Sequence, residues 1–216
     1  MIDLHTHTIW SDGELVPAEL LRRALVSGYR AIGMTDHVDA SNMKEVISAL
    51  REAARAYGGR SDIRMIPGVE LTHVPPELIP DAIAEARALG ARIVVVHGET
   101  LVEPVAPGTN SAAIAGRCDI LAHPGLLNSE DAEQAARNGV YLEISARKGH
   151  CLANGHVATM ARRTGARMIL NTDAHSPGDL ISLDQGMRIL AGAGLDADEV
   201  RGVLSNSEAV LSRLDT

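Results

Sequence analysis

The sequence predicts an α/β fold: a distorted seven-stranded (β/α) barrel, TIM-like, in a single domain. Three observations carry this. Short apolar runs alternate with amphipathic stretches of helical period. The runs are nearly continuous in apolar residues, as strands of a parallel sheet must be when helices cover them. MIDLHTH, AIGMTDH, MIPGVE, IVVVH, DILAH and MILNTDAH each end in histidine or carboxylate. An open, doubly wound sheet gathers its ligands at one switch point, whereas a barrel brings the C-terminal ends of all its strands to one mouth.

The first strand runs straight into HTHTIWSDG. Pro17 and AELLRRALVSG then make an amphipathic helix stopped by Gly28, with proline in the first turn, where no N–H is needed. AIGMT is the second strand. Asn42 and Glu45 have capping-box spacing ahead of EVISALREAARAYGG, and Gly58 and Gly59 end that helix before IRMIPGVE. ELIPDAIAEARALG leads to RIVVV, NSAAIAGRC to DILA, SEDAEQAARNG to VYLEI and HVATMARRTG to ARMIL. Seven strands result, with a C-terminal helical part over about 180–216. With no repeat or low-complexity linker, residues 1–216 read as one domain.

At 216 residues and 45% apolar content the chain can bury a full core. It begins directly in the strand pattern, without a basic and apolar leader or a bilayer-length apolar run, so a cytoplasmic location and no membrane partner are expected. Cys118 and Cys151 lack CxxC spacing and read as reduced thiols. A net charge of −8 and 2% aromatic content disfavour extended nucleic-acid binding, which needs phosphate-neutralising cations and stacking platforms. Divalent cations held by acidic ligands would still make a local pocket attract anions.

His5-Thr6-His7 presents two imidazoles on one face of an extended strand, because strand side chains repeat with period two. Asp173-Ala174-His175 repeats the spacing at the last strand. Taken singly, each has a plain reading: an isolated HxH, a surface carboxylate at Glu70, a hydrogen-bonded histidine at His97 or His123. Their recurrence after successive apolar strands changes this, because burying so many ionisable groups without a counter-ion is strongly unfavourable.

HTHTIWSDG, TDH, GVE, the separate His97 and His123, and NTDAH resemble, in that order from residue 2 to about 176, the PHP family, named for polymerase and histidinol phosphatase. The resemblance implies the seven-stranded barrel and a trinuclear site. His5, His7, Glu70 and Asp173 would hold one cation. Glu70 would bridge to a second, held by His97 and His123, and Asp12, His37 and His175 would hold a third. The Asp12 position is histidine in some relatives. Asp36 is expected to orient an imidazole rather than to ligate. Binuclear amidohydrolases, which also begin with HxH, often use a carboxylated lysine, but Lys44 and Lys148 are the only lysines and neither is well placed. TatD-type deoxyribonucleases lack the TDH and the histidine of DAH, so Asp12, His37 and His175 separate the chain from that pattern.

Imidazole mixed with carboxylate suits Zn, Mn or Fe better than Ca or Mg, so two or three such divalent ions are the expected cofactors. Closely spaced cations lower the pKa of a bridging water and bind phosphoryl oxygens, which predicts in-line attack of hydroxide on phosphorus without a protein nucleophile. Glu70, Asp173 and Arg147 are the expected catalytic residues. The resemblance implies phosphate contact for an arginine shortly after the sixth strand, which makes Arg147 in VYLEISARKGH the candidate clamp through its planar fork. Lys148, His150 and His156 are candidate substrate contacts, with leaving-group protonation or helix capping open for the two histidines. His73 is equally open, and Trp10 reads as pocket wall or packing. The expected activity is hydrolysis of a small phosphomonoester, histidinol-phosphate-like or nucleotide. A phosphodiesterase or 3'-5' exonuclease is one alternative. A non-catalytic metal-stabilised binding module is the other, against which the intact ligand set argues.

Overall fold

The computed structural model describes residues 1–57, 60 and 62–214. The strands are β1 (Ile2–Thr6), β2 (Ala31–Met34), β3 (His37–Val38), β4 (Arg64–Leu71), β5 (Ile93–His97), β6 (Ile120–Ala122), β7 (Tyr141–Ser145) and β8 (Met168–Asn171). All pairings are parallel, in the order β1-β2-β4-β5-β6-β7-β8. The two-residue β3 continues the course of β2 past Thr35 and Asp36 and pairs with the end of β4, His37 opposite Glu70. The expected seven strands are therefore present, the second of them broken in two, and they form a nearly closed barrel.

Helices α1 (Pro17–Val26), α2 (Met43–Tyr57), α3 (Ile79–Leu89), α4 (Thr109–Ala115), α5 (Ser129–Asn138) and α6 (Asn154–Thr164) fill the connections. Helices α7 (Leu183–Gly192) and α8 (Ala197–Arg213) follow the last strand. The expected glycine stop at Gly58 and Gly59 lies outside the described residues. The Asn42 side chain does not serve mainly as a box for α2; it accepts from Asp39 N–H at 3.0 Å and donates to His37 O at 3.1 Å, bracing the segment that carries His37. Among the described residues, no helix is long and apolar enough to cross a membrane.

The core has two parts. One lies between helices and strands and includes Leu20, Ile47, Leu50, Ile83, Val94 and Val96. The other fills the barrel, with Ile66, Ile93, Val95, Ile120, Tyr141 and Ile169, and its floor is closed by Val210 of α8 and by Leu214 just after it. Strand alternation then decides what reaches the mouth. Residues on the faces of Ile66, Val95, Tyr141 and Ile169 include Glu70, His97, Glu143 and Asn171, so one periodicity packs the floor and presents polar groups above it.

The seam between β1 and β8 is irregular. Thr6 bridges Ala174, Asp173 N–H donates to His5 O at 2.9 Å, and His7 N–H donates to Ala174 O at 2.9 Å. Below them, Leu4 N–H donates to the Asn171 side-chain oxygen at 2.9 Å, so a side chain replaces a rung of the ladder. The Asn171 amide also donates to Glu143 Oε2 at 2.9 Å. Asn171→Ala leaves a buried N–H and a buried carboxylate oxygen without these partners. It should lower unfolding stability by about 2–4 kcal/mol, measured by urea denaturation; wild-type stability would show that the seam does not rest on this side chain.

Candidate metal centre

Every histidine except His156 belongs to one connected patch of ring contacts at the barrel mouth, from His5 and His7 through His37, His175, His97, His73, His123 and His150. Four overlapping groups have donor atoms that all lie within 4.8 Å of one another: His5-His7-Glu70; His5-His123-Asp173; His7-Asp12-His37-His175; and His97-His123-His150.

His5 and His7 close β1, and their Nε2 atoms are 3.1 Å apart. His5 Nδ1 lies 2.8 Å from the buried Glu143 Oε2. In the tautomer in which Nδ1–H donates to that carboxylate, the Nε2 lone pair faces Glu70 Oε1 at 3.2 Å and Asp173 Oδ1 at 3.7 Å. His7 Nε2 faces Asp173 Oδ1 at 3.2 Å and Glu70 Oε2 at 3.6 Å. The His7 ring stacks on His175 at 4.1 Å, and Asp12 Oδ1 reaches His175 Nε2 at 3.1 Å and His37 Nε2 at 3.5 Å.

Asp36 does not orient an imidazole. It accepts from Thr8 N–H, Thr8 Oγ1 and Ser11 Oγ at 2.8, 2.9 and 2.8 Å, so it shapes the turn that delivers Asp12. The reason is local: the break between β2 and β3 turns Asp36 toward the 8–11 turn while His37 resumes pairing.

On the opposite side, His150 stacks on His123 with ring centres 4.0 Å apart. His97 Nε2 lies 3.1 Å from Glu103 Oε2, and His73 Nε2 lies 3.4 Å from the same atom. Glu70 approaches His123 at 3.7 Å, but among the described residues no ion pair joins it to His97. Arg147 stands at the rim, its Nη1 donating to Asp173 O at 3.1 Å and lying 3.8 Å from Asp179 Oδ2. Lys148 is exposed. His156 is drawn elsewhere, its Nε2 bonded to Leu127 O at 2.7 Å. Trp10 is exposed and lies along an outer cleft with Val16, Ala49 and Ala53.

The donor set fits cations on three grounds. Nδ1 of His7, His97 and His123 is buried without a hydrogen bond, and the buried Glu70 oxygens face imidazole nitrogens, His37 Nδ1 at 2.7 Å and His5 Nε2 at 3.2 Å. Burial opposes ionisation of Glu70, yet His5 and His37 hold its carboxyl well below the usual range. Burial, reinforced by Glu70 and Glu143, pushes Asp173 up. His7 and His123 are held well below the ordinary imidazole value by burial and by neighbouring rings, which keeps their lone pairs free. Carboxylates this close require positive charge, and neutral imidazoles are the nitrogen donors that a divalent ion accepts. Backbone strain marks the same place: His123 and Asp173 have φ of 28° and 52°, a left-handed conformation that costs on the order of 1–3 kcal/mol each in a non-glycine residue.

Glu143 and Glu103 are absent from the motif-based set. Glu143 is flanked by apolar strand neighbours and reads as an ordinary polar position in VYLEIS; only its alternation with Tyr141 points inward. Glu103 sits on a loop without periodicity and carries no sequence signal.

The PHP domain model matches residues 3–147. An uncharacterized protein of Methanocaldococcus jannaschii is 50% identical over 94% of this chain and 94% of its own length. The DNA polymerase/3'-5' exonuclease PolX of Bacillus subtilis is 25% identical over 99% of this chain but only 41% of its own. A probable phosphatase of Shewanella sp. is 25% identical over 92% of this chain and 86% of its own. Among solved structures, a chain in an archaeal ribonuclease P complex with mature tRNA superposes with a TM-score of 0.73 at 15% identity, covering 100% of this chain and 91% of that one; at that identity the likeness concerns the fold.

Glu143→Gln keeps the shape at His5 and removes the charge behind it. Divalent-cation affinity should fall by about 10- to 100-fold in competition titrations against a chromophoric chelator. An unchanged affinity would remove Glu143 from the centre.

Proposed function

The chain belongs to the PHP family, and on that premise we propose that it is a divalent-metal-dependent phosphatase acting on small phosphomonoesters at the barrel mouth. The observation that carries this reading is the convergence of buried imidazoles and carboxylates in groups with donors within 4.8 Å, edged by one guanidinium. His5, His7, Glu70 and Asp173 would hold one cation, and His7, Asp12, His37 and His175 surround another position; His97 and His123 lie on the far side. Bound cations would supply charge neutralisation for the phosphoryl group and activation of water at neutral pH.

The chain's own residues do the positioning. Glu143 fixes the His5 ring, Thr72 Oγ1 fixes His37 Nδ1 at 2.7 Å, and the Asp173 carbonyl fixes His175 Nδ1 at 2.9 Å. Arg147, held beside Asp173 and Asp179, is placed to orient phosphoryl oxygens through its fork. With exposed Lys148 it gives a locally cationic rim to a chain of net charge −8. That net charge supports a small substrate over a long nucleic acid. The PolX likeness favours a second reading, phosphodiester cleavage by a 3'-5' exonuclease.

Chelator-stripped protein reloaded with Zn, Mn or Fe(II) should hydrolyse members of a phosphomonoester panel. Turnover of single-stranded oligonucleotides alone would transfer the assignment to the exonuclease, and thermal stabilisation without any turnover would leave a binding module. Arg147→Ala should raise KM for a phosphomonoester about 10- to 100-fold with metal content unchanged, as loss of a charge-assisted hydrogen bond requires. Glu70→Gln should lose activity and bound metal together; full retention of both would overturn its central role.

A further inference from the structure

We propose that Glu103, carried on the loop between β5 and α4, joins His150, His97 and His123 to form a four-donor position for a first-row transition divalent ion. This deepens the metal-binding part of the reading above and does not depend on the substrate.

The loop is built to hold Glu103 over the mouth. Its two ends are stapled: Glu99 Oε1 accepts from Gly108 N–H at 3.0 Å and Asn110 N–H at 2.9 Å, while Asn110 Oδ1 accepts from Glu99 N–H at 3.0 Å. The Asn110 amide donates to Pro124 O at 2.8 Å, which ties the loop to the segment just after His123. At Gly125, with φ of 64°, the backbone packs so closely on Glu99 O that a side chain would not fit. Between these anchors, Leu101 and Val102 are about half exposed, and the partly exposed Glu103 carboxylate reaches the rings of His97 and His150.

Both Glu103 oxygens are engaged by imidazole nitrogens, Oε2 by His97 at 3.1 Å and Oε1 by His150 at 3.4 Å. His150 is set up as a ligand would be. Its Nδ1 is bonded to Thr100 Oγ1 of the same loop at 2.7 Å, which fixes the ring and leaves Nε2 facing Glu103 Oε1 and, at 3.9 Å, Asp173 Oδ2. His97, His123 and His150 already lie within 4.8 Å of one another through their donor atoms, and Nδ1 of both His97 and His123 is buried without a hydrogen bond. Three imidazoles and one carboxylate suit a borderline ion such as Zn and do not suit Mg or Ca, which take mostly oxygen. Because Glu103 is the most exposed of the four donors, it is the ligand that can leave as substrate arrives.

The test is cobalt(II) titration of the whole chain, followed by visible absorption, with elemental analysis after gel filtration. Glu103→Gln and His150→Gln should each weaken one equivalent about tenfold or more and leave the others as in the wild type. Thr100→Val, which removes only the partner of His150 Nδ1, should weaken the same equivalent about tenfold. Melting in chelator checks folding, and if His150→Gln is unstable, Glu103→Gln at the more exposed position decides. Wild-type stoichiometry and affinity in Glu103→Gln overturn the proposal, as does equal weakening of every equivalent. A protein that shows the selective loss but turns over no phosphoester keeps this site and loses the phosphatase reading.

Discussion

The seam between β1 and β8 is the constraint on which the mouth depends. β1 carries His5 and His7, and the residues just beyond β8 carry Asp173 and His175, so the centre exists only where the first and last strands meet. A regular ladder would continue side-chain alternation straight through. Instead Asn171 substitutes its side chain for a backbone acceptor, Asp3 takes the Thr172 N–H and hydroxyl, and Asp173 adopts positive φ. The hydrogen bonds lost from the sheet are recovered from side chains, and the strained residue is over-determined by its neighbours, as such conformations must be to persist.

Beneath the donors lies a polar storey of Asp3, Glu143, Ser145, Asn154 and Asn171, all buried. Ser145 N–H donates to Asn154 Oδ1 at 3.1 Å, and the Asn154 amide donates back to Ser145 O at 2.8 Å. Below that, the apolar interior is capped by α8. Stability is therefore concentrated in the layer between helices and strands and in the barrel floor, while the upper interior is given over to groups that a purely apolar core would not contain. Glu143 Oε1 has no hydrogen-bond partner, and the bonds that the network does make hold the donors it supports.

This division explains what could be read from the residues. Strand number, helix order and the strand-end histidines were legible because each rests on local periodicity or on a fixed offset such as HxH. Three features were not. Asp36 was misjudged because the break between β2 and β3 reverses which neighbour it faces, and a sequence shows no broken strand. Glu143 was hidden because a carboxylate alternating with apolar residues looks the same whether its face meets solvent or a barrel interior. The Glu103 carboxylate beside His97 was hidden for a third reason. Glu70 lies on the adjacent strand β4, but the carboxylate that reaches His97 comes from a loop, whose path depends on staples such as Glu99 to Asn110 rather than on any period.

The donor groups also differ in how much of the chain each must wait for. His5, His7 and Glu70 are all present once the first third has emerged from the ribosome, whereas His97 and His123 need His150, and Asp12 and His37 need His175. The groups that include Asp173 or His175 are complete only when the segment after the last strand has docked against the first.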